Sequence, residues 1–268
     1  MTQENPVPPG VDMDKPNVAR AYDYALGGKD NFAVDRAFAD KFFAMVPSAL
    51  ADVRQNREFL VRAVRFLARE KGVRQFIDIG TGLPTQENVH EVAHAVAPDA
   101  RVVYADYDPI VSAHGDALLA GDDRVAFIQA DLRRPEDIID HPDTRALIDF
   151  DEPVAVLLAA VLHFVTDEEG PDRIVARLRD ALPPGGYLAV SHVIPPPGVA
   201  DLERLTAVIK GASAPYVLRT REEILRFFDG LDLLAPGLVP PLEWHADTTG
   251  GTDSENAMLL VGLGRKPG

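Results

Sequence analysis

The chain has 268 residues, of which 46% are hydrophobic and 26% charged, a composition that supplies a buried core and argues against general disorder. The 42 acidic and 27 basic side chains give a net charge of −15, which repels a phosphate backbone, so we expect no nucleic-acid partner. The sequence has no cysteine, no apolar run long enough for a bilayer and no signal-peptide pattern, and we expect a cytoplasmic protein without membrane contact.

The N-terminal quarter of the chain is predicted to be helical after a short tail. Residues 1–16 are rich in proline and poor in apolar side chains, which predicts a flexible tail. Over residues 17–71 apolar side chains recur at helical spacing, which predicts two or three helices that form an N-terminal cap. The residues that interrupt the first helix are Gly27 and Gly28, and those expected to cap the next two are Asp30 or Asn31 and then Ser48.

Residues 72–268 alternate short apolar runs with helical stretches, which is typical of βα units around a largely parallel sheet. The predicted strands are Gln75–Ile79, Arg101–Ala105, Val125–Gln129, Val154–Ala159, Gly186–His192, Leu231–Leu234 and Ala257–Leu263. The predicted helices are Glu87–Val96, Pro109–Ala120, Pro171–Ala181, Asp201–Gly211 and Arg221–Phe228. A polar stretch around Trp244 is not expected to join the core.

Residues suited to a nucleotide-like cofactor follow three of these strands. Gly80-Thr81-Gly82 ends the first strand, and glycines there let a cofactor approach the backbone closely. Asp106 follows the second strand, where an exposed carboxylate can accept both hydroxyls of a ribose, and Asp131 follows the third. Pro84 lies where a dinucleotide fold would have a further glycine, which disfavours a diphosphate ligand. The alternative interpretation is that the two glycines only form a tight turn and that the aspartates only cap the helices that follow them.

Several segments together resemble the class I S-adenosylmethionine-dependent methyltransferases, and more narrowly the bacterial S-adenosyl methyltransferase family, formerly a domain of unknown function. The segments that carry the resemblance are Asn17–Phe32, Gln55–Arg57, Asp78–Thr85, Tyr104–Pro109 and Val161–Phe164. The resemblance spans residues 17–265. It implies an α/β fold with a Rossmann-like, seven-stranded, mostly parallel sheet, strand order 3-2-1-4-5-7-6 and the last strand antiparallel, with S-adenosyl-L-methionine as the cofactor.

The resemblance also implies roles for individual residues in binding the cofactor. Gly80, Thr81 and Gly82 would pass its methionine part and Asp106 would hold its ribose. Tyr107 or Asp108 would flank the adenine and Asp131 would accept from its exocyclic amine, and Leu132 is also expected to bind the cofactor. Tyr24 and Asn31, in the polar-aromatic segment Tyr22–Phe32, are expected to close over the cofactor; the alternative is that the tyrosines only anchor the cap to the sheet. Asn56 or Arg57 would bind the methionine carboxylate, unless Arg57 is a surface group.

His163 follows the fourth strand, and methyltransferases often place residues that face the reacting methyl group there. A histidine with an unperturbed pKa near 6.5 suits a general base, so His163 is the candidate catalytic residue. The alternative is a core histidine hydrogen-bonded beneath Phe164.

A zinc site is a competing interpretation of another segment. His90-Glu91-Val92-Ala93-His94 matches a motif in which two imidazoles on one helix face bind zinc and a glutamate acts as base. No third ligand follows at the spacing that the extended motif needs, and we expect no metal.

The function expected from these patterns is methyl transfer from S-adenosylmethionine to a small-molecule acceptor that the sequence does not identify. A non-catalytic cofactor-binding sensor or assembly subunit is the alternative, and a zinc metallohydrolase is a remote one. The oligomeric state is left open.

Overall fold

The computed structural model describes residues 14–84, 87–119, 121–195, 213–245 and 257–268. Most of the predicted N-terminal tail and the whole of the predicted helix Asp201–Gly211 lie outside these ranges.

Three helices precede the first strand: α1 (Val18–Ala25), α2 (Ala33–Met45) and α3 (Ala49–Glu70). Ser48 directly precedes α3 as predicted, although its side chain makes no capping hydrogen bond. The prediction for α2 is wrong, because its N-cap is Phe32 rather than Asp30 or Asn31. Both of these residues are bound instead to Asp23, whose Oδ2 accepts the Asp30 N–H at 3.0 Å and the Asn31 amide at 2.9 Å.

The sheet has seven strands in the order β3-β2-β1-β4-β5-β7-β6, which confirms the predicted topology. The strands are β1 (Gln75–Ile79), β2 (Arg101–Asp106), β3 (Val125–Gln129), β4 (Ala155–Ala159), β5 (Tyr187–Val193), β6 (Asp232–Leu233) and β7 (Leu259–Arg265). The first five pair in parallel, and β7 is antiparallel to both of its neighbours. The carboxyl ends of β1 to β5 therefore meet at one edge.

The remaining helices cover both faces of this sheet. They are α4 (Val89–His94), α5 (Pro109–Leu119), α6 (Pro135–Ile139), α7 (Pro142–Leu147), α8 (Pro171–Ala181) and α9 (Arg221–Arg226), with 3₁₀ turns at Leu162–Phe164 and Pro241–Glu243. The short α6 and α7 were not predicted; each begins at a proline, the residue whose missing N–H is tolerated at a first helical position. Among the described residues, no helix is long and apolar enough to cross a bilayer.

Helix α3 packs against the sheet along its whole apolar face, with Phe59, Val64 and Leu67 fully buried. Trp244 joins this core, so the expectation that its surroundings are too polar is wrong. Its ring meets Phe59 edge to face at 5.1 Å, and Arg62 of α3 donates to the Trp244 and Pro241 carbonyls at 3.1 and 2.7 Å. A single arginine thus satisfies the backbone that would otherwise keep this polar segment in water.

Candidate functional site

A cavity of about 340 Å³ opens at the carboxyl edge of the sheet, beneath α1, α2 and α3. Its size is within the range of small-molecule sites. Its carboxylates outnumber its guanidinium groups: the acids are Asp23, Asp52, Asp78, Asp106, Asp108 and Asp131, and the cations are Arg57 and Arg133. The cavity therefore favours a ligand that carries positive charge.

The turn after β1 forms the floor of the cavity, and both of its glycines have left-handed backbones, with φ of +71° at Gly80 and +66° at Gly82. The Gly80 N–H donates to the Ala105 carbonyl at 2.8 Å, which ties the turn to β2. A Cβ added at Gly80 would lie 2.2 Å from the Val161 side chain, whereas one at Gly82 would have nothing within 4 Å. Gly80 is therefore required by packing, and Gly82 leaves open space where the turn meets the cavity.

Asp106 ends β2 and supports this turn directly. One carboxylate oxygen accepts the Gly82 N–H at 2.9 Å and the other accepts the Asp108 N–H at 3.0 Å. The expectation that Asp106 is exposed is wrong, because its relative exposure is 7%. Burial raises the pKa of this carboxyl, and the N–H groups of Asp108 and Gly82 oppose that shift. Asp106 lines the cavity, and a carboxylate has about four lone-pair sites, so its remaining acceptor capacity is available to ligand hydroxyls.

Tyr107, Asp131 and Leu132 line the same cavity near its mouth, where Tyr107 is 47% exposed. The Asp131 carboxylate accepts from the Arg133 guanidinium at 2.7–3.0 Å, which lowers the pKa of that carboxyl despite partial burial. Arg133 also lies 5.8 Å from the Tyr107 ring centre, so the guanidinium links the ends of β2 and β3. These contacts hold a ring, a carboxylate and an apolar side chain around one opening.

Asp108 lines the cavity but already has two partners. Its Oδ1 accepts the Ile110 N–H at 2.8 Å at the start of α5, and its Oδ2 accepts the Asn17 amide at 2.7 Å. Asn17 in turn caps α1, since its Oδ1 accepts the backbone N–H groups of Ala19 and Arg20. This geometry matches the helix-capping alternative for Asp108 and connects α1 to the loop after β2.

Two predicted cofactor residues are not brought to the cavity. The Tyr24 hydroxyl donates to the exposed carboxylate of Asp40 at 3.1 Å, and the Asn31 amide donates to Asp23 and to the Gly28 carbonyl. The neighbouring Asp23 does line the cavity. A Cβ at Gly28 would lie 1.9 Å from its carboxylate, so the glycine allows this acid to organise the turn between α1 and α2.

Tyr22, Asn56, Arg57 and Asp78 form one polar end of the cavity. The Asn56 amide donates to the Tyr22 hydroxyl at 2.9 Å, and the buried Asn56 Oδ1 has no hydrogen-bond partner among the described residues. Burial raises the pKa of Asp78 to about 6, against the opposing charge of Arg57 and a hydrogen bond to Thr81. This end offers an acceptor, a guanidinium and a carboxyl group, which suits the amino and carboxylate groups of an amino-acid moiety.

His163 lines the cavity beside Phe164 and Tyr216, at ring distances of 4.2 and 4.8 Å. Burial, with His192 and Arg219 nearby, holds its pKa well below the ordinary value, so the premise of an unperturbed pKa is wrong and the ring is neutral near pH 7. Its Nδ1 has no hydrogen-bond partner among the described residues, unlike a satisfied core histidine. Arg219 positions this turn by donating to the Leu162 and Val165 carbonyls at 3.1 and 2.8 Å.

Asp52 and Tyr216 also line the cavity and were not predicted. Asp52 is 8% exposed, and burial raises its pKa to about 6 against a long hydrogen bond from the Met258 N–H and one from Ser48. Tyr216 comes from a segment distant in sequence from the motifs, and Asp52, three residues before Gln55, resembles an ordinary first-turn helix acid. No sequence signal marked either residue.

The two histidines of the zinc motif have other partners. His90 Nδ1 lies 2.8 Å from the Tyr104 hydroxyl, and His94 Nε2 lies 2.8 Å from the Ala100 carbonyl. In the part of the chain that the structure describes, no three histidine, cysteine or acidic residues are grouped as a metal site.

The fold is that of the Rossmann-like class I methyltransferases. The chain belongs to the S-adenosyl methyltransferase family, whose model matches residues 4–267. It is an S-adenosylmethionine-dependent methyltransferase, and S-adenosyl-L-methionine is its cofactor.

Solved structures agree with this membership. A methyltransferase candidate from Thermobifida fusca YX is 44% identical with a TM-score of 0.90, over 97% of this chain and 98% of the other. A DUF574 family protein from Streptomyces avermitilis MA-4680 is 40% identical with a TM-score of 0.90, over 96% and 99%. The N-methyltransferase NodS from Bradyrhizobium japonicum WM9, bound to S-adenosyl-L-homocysteine, shares the fold alone at 14% identity and a TM-score of 0.51, over 94% and 100%. No curated protein matches the sequence.

Proposed function

We propose that the protein transfers the methyl group of S-adenosylmethionine to a small molecule bound in the same cavity. The observation that carries this proposal is the continuity of the cavity. It runs from the glycine turn and Asp106 to an aromatic compartment beside His163, formed by the rings of Phe42, Phe43, Phe164 and Tyr216. Its volume of about 340 Å³ suits small molecules.

The residues present fit the donor. When bound, S-adenosylmethionine supplies an electrophilic methyl group on a positively charged sulfur, and the acidic cavity matches that charge. Asp106 has lone pairs for two ribose hydroxyls. Tyr107, Leu132 and Asp131 flank the adenine, and the open space over Gly82 passes the methionine part.

The amino-acid end of the donor is assigned to α3. Asn56 Oδ1 is buried without a partner among the described residues and accepts from the ammonium group, while Arg57 faces the carboxylate. Burial and pairing with the donor make this interaction stronger than an exposed contact. His163, neutral near pH 7, orients the acceptor through a ring nitrogen, and placing the nucleophile in line with the methyl group supplies much of the acceleration.

Methyl-tritiated S-adenosylmethionine, incubated with the protein and a metabolite extract of the source organism, tests this function. We expect label in the extractable small-molecule fraction with the wild type and a large loss of transfer with Asp106→Asn. Label found only in protein or nucleic acid, or no transfer by a protein that binds S-adenosylhomocysteine, would contradict a small-molecule acceptor.

A further inference from the structure

The aromatic compartment of the cavity contains a carboxyl group without a counter-ion. Asp52 accepts hydrogen bonds from the Met258 N–H, at 3.4 Å, and from Ser48, and among the described residues it has no ion-pair partner. Both of those hydrogen-bond donors are neutral. Burying a carboxylate without a cation costs free energy, so a positively charged ligand would stabilise the ionised form of Asp52.

Aromatic rings surround this carboxyl group. Phe42 meets Phe43 and Tyr216 edge to face, each at 6.1 Å, and Tyr216 meets Phe164 at 5.9 Å. All four rings line the same cavity as Asp52. Burial raises the pKa of Tyr216, and the charge of Asp52 adds to that shift. Ring faces attract cations and bury apolar groups at the same time.

A second observation points to a ligand in this compartment. His163 is 4% exposed, lines the cavity, and has an Nδ1 without a hydrogen-bond partner among the described residues. Its ring contacts Tyr216 at 4.8 Å, so it faces the same compartment as Asp52. The compartment thus presents the Asp52 carboxyl group, the neutral His163 imidazole and several aromatic rings to a single ligand.

The compartment also adjoins the end assigned to the amino-acid part of the donor. Asp52 and Asn56 lie four residues apart on α3 and both line the cavity. Residues at this spacing lie on one helix face, about 5–6 Å apart. A molecule held by Asp52 therefore lies close to the methionine part of the donor.

We propose that the methyl acceptor is a small aromatic or alkyl amine that binds as its ammonium ion. The ammonium group pairs with the Asp52 carboxylate, and the apolar part of the amine packs among Phe42, Phe164 and Tyr216. This inference rests on the proposed function, because it assigns the acceptor class of the same cavity. Before transfer the bound ammonium ion must lose one proton, to the Asp52 carboxylate or to water, so that its nitrogen has a free lone pair. The bond from nitrogen to the methyl group then forms as the bond from sulfur to the methyl group breaks, which leaves S-adenosylhomocysteine and the methylated ammonium ion.

Binding of matched probes to the protein saturated with S-adenosylhomocysteine tests the proposal. The probes are 2-phenylethylamine and its neutral counterpart 2-phenylethanol, titrated by calorimetry or ligand-observed NMR. We expect the wild type to prefer the amine by about tenfold or more, the range of a charge-assisted hydrogen bond. Asp52→Asn should bind both probes alike, whereas Asp40→Asn, which neutralises an exposed acid on α2 outside the cavity, should keep the preference.

The affinity for S-adenosylhomocysteine separates this proposal from the proposed function. It should be the same in the wild type, Asp52→Asn and Asp40→Asn, and its loss from the wild type would contradict the function rather than the acceptor class. Equal affinity of the wild type for the two probes, no amine binding, or a preference that survives Asp52→Asn would overturn the proposal.

A pH series on the wild type gives a test that needs no variant. Amine binding should strengthen as Asp52 ionises, around pH 6, while binding of the alcohol stays constant. The groups facing Asp52 do not titrate there: Tyr216 has a raised pKa, the pKa of His163 lies well below its ordinary value, and Phe42 and the Met258 N–H carry no charge. The donor product must be kept saturating at each pH, since Asp78 titrates in the same range. An amine affinity independent of pH would contradict the role of Asp52.

Discussion

Of two alanine substitutions in the turn after β1, one should mainly lower stability and the other should mainly weaken cofactor binding. Gly80→Ala and Gly82→Ala each place a side chain on a left-handed backbone, with φ of +71° and +66°. Either change should lower the free energy of unfolding by about 1–2 kcal/mol through backbone strain alone. The two variants are therefore matched in strain and differ only in what the new methyl group meets.

At Gly80 the new Cβ would lie 2.2 Å from Cγ2 and 2.7 Å from Cβ of Val161. Overpacking of this kind adds about 1–3 kcal/mol, so Gly80→Ala should lose about 2–5 kcal/mol of stability. At Gly82 nothing lies within 4 Å, so the fold should lose the strain energy alone. Because Gly82 lines the cavity, the methyl group of the new alanine would occupy space that the donor needs. We expect donor binding to weaken at least tenfold, or by about 1.4 kcal/mol.

Urea denaturation measures the stability of the two variants, and calorimetric titration with S-adenosylhomocysteine measures their binding. Gly82→Ala should be the more stable variant and a markedly weaker binder than the wild type. Wild-type affinity in Gly82→Ala would refute the assignment of this turn to the donor. A loss of stability as large as that of Gly80→Ala would contradict the open space at Gly82.

Three further variants test single residues. Asp106→Asn should weaken S-adenosylhomocysteine binding by about 1.5–3 kcal/mol in calorimetry, with Asp40→Asn as the control, and an unchanged affinity would leave Asp106 as a support of the turn only. Asp52→Asn should raise the free energy of unfolding near pH 7 by up to about 3 kcal/mol, because the pKa of Asp52 rises from 3.8 to about 6 on folding. Ionisation of Asp52 costs the folded state nothing below the unfolded-state pKa and its full cost above the folded-state pKa. The free energy of unfolding of the wild type should therefore fall relative to that of Asp52→Asn as pH rises from about 4 to 6. Stability curves of the two proteins that stay parallel over this pH range would contradict this prediction. Zinc content, measured by metal analysis without a histidine tag, should be far below one equivalent and unchanged in His90→Ala; stoichiometric zinc lost in that variant would revive the metal site.

The parts of the site that could be predicted from the sequence are the residues that lie within short contiguous motifs. The glycine turn and Asp106 follow strands whose apolar runs are easily recognised, and parallel strands bring their carboxyl ends to one edge. The burial of Asp106 was not predictable in this way, since it depends on the N–H groups of Gly82 and Asp108 turning toward it.

Other residues owe their roles to partners far away in the chain. Asp52 looks like a first-turn helix acid until Met258 and Tyr216 are packed against it. Trp244 lies in a polar segment and becomes core only because Arg62, on another element, binds the carbonyls beside it. Local pattern carries no information on such tertiary contacts, and both assignments needed the fold.

The most direct test of the account is a crystal structure of the protein with S-adenosylhomocysteine. We expect the ribose hydroxyls on the Asp106 carboxylate, the adenine beside Tyr107 and Leu132, and the amino-acid end at Asn56 and Arg57, with the compartment at Asp52 left free for an acceptor. A ligand bound elsewhere, or one in this cavity without contact to Asp106, would contradict it.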